Sequence, residues 1–468
     1  MQTLRLSKRL SQAFNAMERT TVFFVVATRG RVSTMLRPLF QMFRGDNWNV
    51  VIFSPFSHEV GFRKEFEGSG VYFESIEKMG VWARRVAYVR ADAMRQEHPM
   101  LEQARSIHHS MTRGFRKGGG AVTLKKYIIR AVAFFIPWFL KRSHTFWEYC
   151  MRYALSGSIE MHIKKYKPSI IVLASAGAEG DDVPFIVAGN ARGVPTLAVD
   201  SNIDAASYRY FSAPWRATHL ALFSEVQKKE FSELHDIPLS NMTVVGALRY
   251  DSYFRDFKAK PRLEFLKTLG LDSSKKVITL GAKTPIVFPH NEDIIEMVQR
   301  GIGGGRFGAA ELYVRFDPGH DLSRYSKEFL ESFKWERAED APDTEHIANL
   351  LSHSAVYLGL GASTLAIEAC AVGTPSLWIG FDGNVKYRDT DNSCRIQYDL
   401  PVFRRIVKTG GIPLVENEED LLSAVQRYIE HPEQSKNARE RMLMQEYANA
   451  KDGRAAERIF ALAHTLVQ

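Results

Sequence analysis

The chain has 468 residues, of which 45% are hydrophobic and 25% charged, and its formal net charge is +9. This length exceeds what one ordinary core can hold, so we expect two domains, and the composition excludes collagen-like and low-complexity chains. The three cysteines, Cys150, Cys370 and Cys394, show no CxxC or CxxH spacing. That argues against a zinc site or a disulfide framework and fits a reducing compartment.

The first twenty residues are charged and lack an apolar core of signal-peptide length. No stretch of the chain reaches the roughly 18 apolar residues that a membrane span requires. We therefore expect a cytoplasmic protein.

The first apolar segments alternate between strand-like and helix-like patterns. TVFFVVATRG (21–30) predicts a buried strand, VSTMLRPLFQMFRG a helix, and NVVIFSP a second strand. This is a βαβ unit, which requires a parallel sheet covered on both faces. Further strands of the same domain are predicted at 168–177, 194–200, 218–224 and 242–251.

The same pattern restarts in the second half of the chain. Residues 255–276 are charged and predict an interdomain crossing, and KKVITLGAKTP (275–285) then predicts a new first strand. More strands are predicted in ELYVRFDPGHD, AVYLGLGAS, TPSLWIGFDG and GIPLVEN, followed by helices over 431–468. We expect an α/β protein of two Rossmann-like doubly wound domains, 1–254 and 277–430, facing across a cleft lined by the loops that follow the strands.

Residues 81–150 interrupt this rhythm with thirteen Lys or Arg against four Asp or Glu. Such a basic block suggests a polyanion or an anionic membrane surface as partner. Within it, AVAFFIPWFL (131–140) is too short to span a bilayer but has the aromatic body and basic flanks of an interfacial segment. We expect membrane contact through Lys125, Lys126, Arg130, Trp138, Lys141 and Arg142. The alternative is an inserted helical pair packed on the sheet edge.

VYLGLGASTLAIEACAVGTP (356–375) passes from a strand through a small turn into a helix. A helix start offers unpaired N–H groups and a partial positive charge, so this turn suits a phosphate. Gly361 permits close backbone approach, while Ser363 and Thr364 supply hydroxyls. Glu368 lies one turn into the helix, where it can accept hydrogen bonds from ribose hydroxyls. The alternative is close packing, with Ser363 as a helix cap and Glu368 solvated.

Residues 343–383 resemble the donor-binding half of GT-B-fold glycosyltransferases, in particular bacterial surface-polysaccharide enzymes and relatives that transfer glycerol phosphate. The matching elements are Asp343, Ala348-Asn349-Leu350-Leu351, Gly361, Ser363-Thr364, Glu368-Ala369 and Gly373-Thr374-Pro375. Residues 220–254 and 403–433 resemble further family segments, so the likeness covers most of the chain outside 60–165.

The resemblance implies a donor site in the second domain and an acceptor site in the first. It implies a nucleotide-sugar as substrate, no cofactor and no bound metal, with the leaving diphosphate stabilised by helix dipoles and basic side chains. Lys283, Thr284 and Arg315 match the donor side.

Two departures from the family pattern stand out. Arg315-Phe316-Asp317-Pro318 replaces the Arg-x-His-Pro that relatives often carry, with His320 close by, and an Asp-Asn loop is reshuffled to Ser201-Asn202-Ile203-Asp204. Either change can alter donor choice or activity.

Loops of the first domain supply candidates for the acceptor side. TRGRVST places Arg29, Gly30 and Arg31 where a strand opens into a helix, an arrangement that suits an anion, and Asp204 lies in the reshuffled loop.

The same domain supplies candidates for a catalytic base, which an inverting transfer requires for the acceptor proton. Asp181, Asp182 and His58 each follow a predicted strand. The two aspartates can instead cap the next helix, and a retaining mechanism needs no such base, so the stereochemical outcome stays open.

The sequence thus predicts transfer of a sugar from a nucleotide-sugar to a lipid-linked or surface-glycan acceptor, at the inner face of the cytoplasmic membrane. A polyol-phosphate transferase, a UDP-sugar epimerase and a non-catalytic nucleotide-binding protein remain alternatives. Nucleic acid is not expected as a partner, because the apolar aromatic run fits lipid better than stacked bases.

Overall fold

Two parallel β-sheets, each covered by helices, form the body of the protein. The computed structural model describes residues 20–76, 80–96, 128, 131–141, 143–154, 157–175, 181–199, 203–208, 216–255, 257–285, 287–340, 344–387, 393–448 and 452–468.

The first sheet has the strand order β3-β2-β1-β4-β5-β6-β7, with every neighbouring pair parallel. Its strands are β1 Thr21–Val25, β2 Asn49–Phe53, β3 Val71–Glu74, β4 Ile170–Leu173, β5 Thr196–Val199, β6 His219–Leu222 and β7 Met242–Val244. The central strands are continuous runs of Val, Ile, Leu and Phe because helices bury both faces of the sheet.

The second sheet has the order β10-β9-β8-β11-β12-β13 and is also parallel throughout. Its strands are β8 Lys276–Ala282, β9 Ala310–Phe316, β10 Lys334–Arg337, β11 Ser354–Leu360, β12 Ser376–Ile379 and β13 Leu414–Val415. The predicted doubly wound α/β architecture is therefore confirmed.

Helices connect the strands in both halves. Up to the end of the first sheet they are Arg29–Arg31, Arg37–Gly45, Val60–Phe66, Val81–Gln96, Trp138–Lys141, His144–Ala154, Ser158–Tyr166, Val183–Ala191, Ala205–Tyr208 and Glu225–His235, with a π-helical turn at Val32–Leu36. Beyond it they are Asp251–Phe254, Arg262–Thr268, Asn291–Gly303, Lys327–Glu331, Thr344–His353, Leu365–Ala371, Pro401–Lys408, Glu418–Glu430, Lys436–Glu446 and Ala455–Val467. Short 3₁₀ turns occur at Leu239–Asn241, Leu248–Tyr250, Leu322–Arg324 and Cys394–Asp399.

Two strands, β3 (VYFE) and β10 (KWER), were not predicted from the sequence. Both lie at an edge of their sheet and are only partly buried, so they lack the continuous apolar run that marks a central strand. The strand predicted over 242–251 is also shorter than expected, because the chain leaves it after Val244 for a 3₁₀ turn and a helix.

The predicted interdomain crossing, 255–276, contains a helix, Arg262–Thr268. Its Phe265 and Leu266 are buried against Leu350 and Tyr313 of the second domain. The crossing is therefore partly a structural element of the second domain.

The predicted helical tail, 431–468, divides between the two domains. Lys436–Glu446 packs against the helix Leu365–Ala371 of the second domain. The last helix, Ala455–Val467, returns to the first domain, where Phe460 lies edge-on to Phe43 with ring centroids 4.9 Å apart. The first domain is thus built from both ends of the chain.

The basic insert is anchored on the first domain. Val81–Gln96 packs against His144–Ala154, and Trp147 and Met151 of the latter helix belong to the first-domain core. Lys125, Lys126, Arg130 and Arg142 lie outside the described residues. Trp138 is exposed, as membrane contact requires, and no helix in the described part of the chain is long and apolar enough to cross a bilayer.

Lys141 requires a correction, since its side chain is buried in the structure rather than presented to a membrane surface. The helix Trp138–Lys141 presents Trp138 to solvent and turns Lys141 inward, next to the indole of Trp147, which donates to the Lys141 carbonyl at 3.1 Å.

We expect Asp251→Ala to lower the free energy of unfolding by about 1–2 kcal/mol, the usual cost of losing a helix cap. The Asp251 carboxylate accepts from the N–H groups of Ala455 (3.1 Å) and Ala456 (2.8 Å) at the start of the last helix, and both residues are buried. Urea unfolding measures the change. The exposed Asp340→Ala is the control, and equal effects of the two substitutions would contradict this role.

Candidate functional site

The candidate donor site lies where the second sheet changes its strand order. The chain adds β9 and β10 on one side of β8 and then places β11 on the other side. The loops after β8 and β11 therefore diverge and leave a crevice at the carboxyl ends of the strands, the usual ligand site of such sheets. Lys283 and Thr284 follow β8, and Gly361, Ser363 and Thr364 follow β11, so the topology brings the predicted donor residues to this switch point.

The turn after β11 is held in place by buried side chains that pack against it. Gly361 has φ +67°, and a Cβ there would lie 2.6 Å from Oε1 of Gln397, which itself accepts from the Ala362 N–H at 3.1 Å. Ser363 is buried, with its hydroxyl 3.3 Å from that of Tyr357, and its carbonyl accepts from the Trp378 indole at 3.1 Å. The Ser363 hydroxyl therefore serves the packing beneath the turn.

The outer side of the turn is the start of the helix Leu365–Ala371. The N–H groups of Ile367 and Glu368 reach the Thr364 carbonyl, and that of Ala366 reaches Ser363. Within the described part of the chain, the N–H groups of Thr364 and Leu365 have no acceptor, and the Thr364 hydroxyl makes no capping bond. Two backbone donors thus remain for a ligand at this position.

Lys283 faces the crevice from the loop after β8. Its ammonium lies 3.2 Å from the Asp317 carboxylate, and both side chains are about a quarter exposed. The fully buried Asn291 fixes the loop, since its amide accepts from the Lys283 N–H and donates to the Lys283 carbonyl, each at 3.0 Å. Asp317 stands where the enzymes that the sequence resembles often carry histidine. Here it neutralises the Lys283 ammonium, the group that we predict to bind the diphosphate.

Arg315 is buried in an ion pair with Glu336, which also accepts from Tyr313 (2.8 Å) and His346 (2.7 Å). Burial by itself raises the pKa of Glu336, but the His346 hydrogen bond and the Arg315 charge outweigh it and hold that pKa below its ordinary value. A donor contact of Arg315 stays a prediction, and the structure gives its guanidinium a partner inside the second domain.

Glu368 belongs to a contact between the domains. It is 3% exposed, is paired with the Arg249 guanidinium, and accepts from the Tyr253 hydroxyl at 2.6 Å. Arg249 and Tyr253 follow β7, at the end of the first domain. The alternative interpretation, a solvated Glu368, is therefore wrong, and ribose binding by Glu368 stays a prediction that requires displacement of one of these donors.

His320 is also buried, unlike the partly exposed Asp317. Its Nε2 lies 2.9 Å from the Tyr325 hydroxyl, and its ring stacks on that of Tyr325 and is tilted against that of Phe316. Burial lowers the pKa of His320, and the nearby Arg324 charge lowers it further. The imidazole is therefore neutral at physiological pH.

The first domain has a second switch point, between β1 and β4. Thr28 caps the helix that starts after β1, accepting from the Arg31 N–H at 3.4 Å. Arg29 is exposed, paired with Glu59 and 4.0 Å above the Phe56 ring. Gly30 is exposed and Arg31 is buried, so of the two cations only Arg29 presents its charge to solvent at this loop.

The base candidates differ in accessibility. Asp182 is buried and accepts from the Ser175 hydroxyl at 2.6 Å, which ties the end of β4 to the helix Val183–Ala191. It stands at the N-cap position of that helix, but its side chain makes no capping hydrogen bond there. Asp181 is partly exposed beside it. His58 is exposed, with its Nε2 2.7 Å from the Ser75 hydroxyl. Asp204 is partly exposed, next to Ile203, which is buried among residues of both domains.

Sequence reasoning missed Arg249, Tyr253, Tyr357 and Gln397. The signal for the first two lies in RYDSYF (249–254), which carries an Arg and three aromatic residues in a segment predicted as a strand. Tyr357 has a signal in Gly281 on the neighbouring strand, where a Cβ would lie 2.0 Å from the tyrosine hydroxyl. The sequence gives no such signal for Gln397.

We expect Glu368→Gln to lower the free energy of unfolding by about 3–5 kcal/mol, because it leaves the Arg249 charge without its buried partner. Adding Arg249→Met removes that charge, so the double variant is expected to be more stable than Glu368→Gln alone. Chemical unfolding measures both. Glu331→Gln, which breaks an exposed pair with Lys327, is the control, and additive effects of the two core substitutions would refute the coupling.

Protonation of His320 is expected to reduce stability as the pH falls from 7.5 to 5.5. Its folded-state pKa is lowered, so the unfolded chain binds more protons as the pH falls through about 6.5, and stability is lost in that direction. His320→Gln removes this contribution, so its free energy of unfolding should fall less over the same range. The exposed His431→Gln is the control, and identical pH dependence of His320→Gln and wild type would contradict the assignment.

Solved structures of other proteins share the division of this chain into two parallel-sheet domains. No protein-family model matches the chain, and no curated protein matches it. A UDP-GlcNAc 2-epimerase from Methanocaldococcus jannaschii is 13% identical with a TM-score of 0.55, covering 95% of this chain and 100% of that one. The Neisseria meningitidis UDP-GlcNAc 2-epimerase, solved with UDP-GlcNAc bound, is 13% identical with a TM-score of 0.51, covering 95% and 100%.

A glycosyltransferase from Rickettsia africae ESF-5 is 11% identical with a TM-score of 0.52, covering 96% of this chain and 99% of that one. These matches run over nearly the whole of each chain, including both sheets. At such identities the similarity establishes architecture, and the chain has the two-domain GT-B fold.

Proposed function

We propose that the protein is a metal-independent glycosyltransferase that transfers a sugar from a nucleotide-sugar donor. The observation that carries the proposal is the switch point of the second sheet. There the Lys283 ammonium follows one strand, and the N–H groups of Thr364 and Leu365, which have no acceptor among the described residues, follow the adjacent strand. A cation and oriented backbone donors are what a leaving diphosphate requires as negative charge develops on it. A nucleotide-linked donor is also supported by the Neisseria meningitidis neighbour, which was solved with UDP-GlcNAc bound.

A diphosphate that binds at this site meets a lysine that is already paired. In the free protein Lys283 is held by Asp317, so a diphosphate must compete with that carboxylate. Its two negative charges and several oxygens favour it over one carboxylate once the backbone N–H groups also contribute. The acceptor proton then requires a base from the first domain, for which Asp181 and His58 are the accessible candidates.

The acceptor we propose is a surface glycan or a lipid-linked glycan, used for cell-envelope polysaccharide synthesis at the inner face of the cytoplasmic membrane. Support comes from the basic, aromatic insert, which is folded onto the acceptor domain rather than the donor domain. A peripheral location brings that domain close to a membrane-borne substrate.

A UDP-sugar epimerase is the second candidate, favoured by the epimerases whose structures align with nearly the whole chain. It would use the same nucleotide crevice but needs acid–base residues around the sugar in place of an acceptor. A polyol-phosphate transferase would also use this crevice.

A non-catalytic role is favoured by two ion pairs that already occupy predicted donor residues. Lys283 is paired with Asp317, and Glu368 is paired with Arg249.

We expect nucleotide binding to respond in opposite directions to changes at the two residues of the Lys283–Asp317 pair. Lys283→Ala should weaken binding about tenfold or more, because it removes a charge-assisted hydrogen bond. Asp317→Asn should strengthen it, because it removes the competing carboxylate. Titration calorimetry with UDP, CDP, GDP and CMP measures both, with the exposed Lys267→Ala as control. Weaker nucleotide binding by Asp317→Asn would contradict the proposal that the Asp317 carboxylate competes with the nucleotide for Lys283.

The reaction is tested with UDP-, CDP-, GDP- and CMP-linked donors, with and without anionic vesicles carrying a lipid-linked acceptor. Transfer of the sugar to the acceptor supports the proposal. A changed sugar that stays on its nucleotide identifies an epimerase, and transfer from CDP-glycerol identifies a polyol-phosphate transferase. Nucleotide binding without turnover of any donor identifies a non-catalytic binding protein.

A further inference from the structure

The insert presents a concentrated set of exposed apolar side chains. Six large ones in residues 128–139 are between 48% and 79% exposed: Ile128, Val132, Phe134, Phe135, Trp138 and Phe139. We call these six residues the apolar surface. Exposed hydrophobic residues elsewhere in the described chain are more scattered, which is normal for a globular protein, whereas a concentrated set marks an interaction site.

The apolar surface is the outer side of a folded segment. Ala133, between the exposed residues, is fully buried, and Ile136 packs against the first-domain core. Below them, Trp147 is buried and the Arg90 guanidinium lies 5.5 Å from its ring centre. One side of the segment is therefore fixed to the protein, while the opposite side leaves its aromatic rings in water.

The stretch of sequence that carries this surface has charges of one sign. From Gln103 to Trp147 the sequence contains nine Lys or Arg and no Asp or Glu. At the start of the helix Val81–Gln96, Trp82 is exposed beside Arg84 and Arg85, with the Arg85 guanidinium 4.7 Å from its ring centre. Exposed aromatic rings next to cationic side chains are typical of a segment that binds a bilayer, whose surface is anionic and whose interior is apolar.

We propose that the apolar surface inserts into the interface of an anionic lipid bilayer. No helix in the described part of the chain is long and apolar enough to cross a bilayer, so we place these side chains at its surface. Trp138, Phe135 and Phe139 enter the boundary between headgroups and acyl chains, and the Lys and Arg that neighbour them in the sequence, apart from the buried Lys141, stay at the phosphates. Binding of this kind needs both contributions, so it requires anionic lipid and weakens with salt.

The choice of a bilayer over a protein partner follows from the same charge pattern. A protein interface of this size carries charges of both signs that pair across its rim, whereas 45 consecutive residues without a carboxylate match a uniformly negative surface. The inference rests on the proposed function for its purpose, which is to reach a membrane-borne acceptor. Its test uses neither donor nor acceptor, so the two can fail separately.

The test is flotation of the full-length protein with vesicles of phosphatidylcholine alone or with 30% phosphatidylglycerol. We expect at least tenfold more bound protein on the anionic vesicles at 0.1 M salt, and release at 0.5 M. The triple variant Phe134→Ser, Phe135→Ser, Trp138→Ser should lose at least tenfold of this binding. A matched triple variant at exposed apolar positions elsewhere, Leu239→Ser, Leu263→Ser, Met444→Ser, should bind like the wild type.

Two further measurements separate this inference from its rivals. Thermal unfolding must show that both triple variants are folded, and single variants at Phe135 and Trp138 replace the triple if it is not. Sedimentation measures the oligomeric state with and without the substitutions. Equal vesicle binding by wild type and the apolar-surface variant overturns the proposal, and so does a dimer that dissociates in that variant while vesicles bind neither protein.

Discussion

The contact of Glu368 with Arg249 and Tyr253 determines how the two halves of this protein meet. It lies in an apolar cluster that contains Ile203 and Tyr250 from the first half and Phe403 and Tyr447 from the second. The buried Glu368 carboxylate takes its hydrogen bonds from Arg249 and Tyr253, so separating the domains would leave it and the Arg249 guanidinium without these partners. The relative position of the two switch points, and hence of donor and acceptor loops, depends on this contact.

Two cations at the strand ends of the second sheet are paired with carboxylates of the same domain. Lys283 is held by Asp317, and Arg315 by Glu336. A weakly charged ligand gains little by replacing such a partner, while a diphosphate offers more charge and more oxygens than the carboxylate it displaces. In the function that we propose, this arrangement discriminates between ligands by their charge, so the acidic residues near the crevice matter for ligand choice as much as the basic ones.

The sequence predicted the central strands and the loops after them because both depend on local pattern. β1 and β8 are continuous apolar runs, and the small residues of Gly361–Thr364 mark the turn after β11. It did not predict edge strand β3 or β10, whose residues are half-buried and mixed in polarity. Nor could it show that Glu368 meets Arg249, since the two are 119 residues apart and only the packing of two domains brings them together.

The return of the last helix to the first domain affects the order in which the chain can fold. The helix Ala455–Val467 fills the same core as β1 and the helix Arg37–Gly45. On a ribosome, the last strand of the first sheet, ending at Val244, emerges about 200 residues before this covering helix, which starts at Ala455, so the apolar face of the sheet stays incomplete through much of synthesis. The second domain, whose elements are contiguous in the chain, can reach its native state first. Protein synthesis therefore completes the earlier domain last.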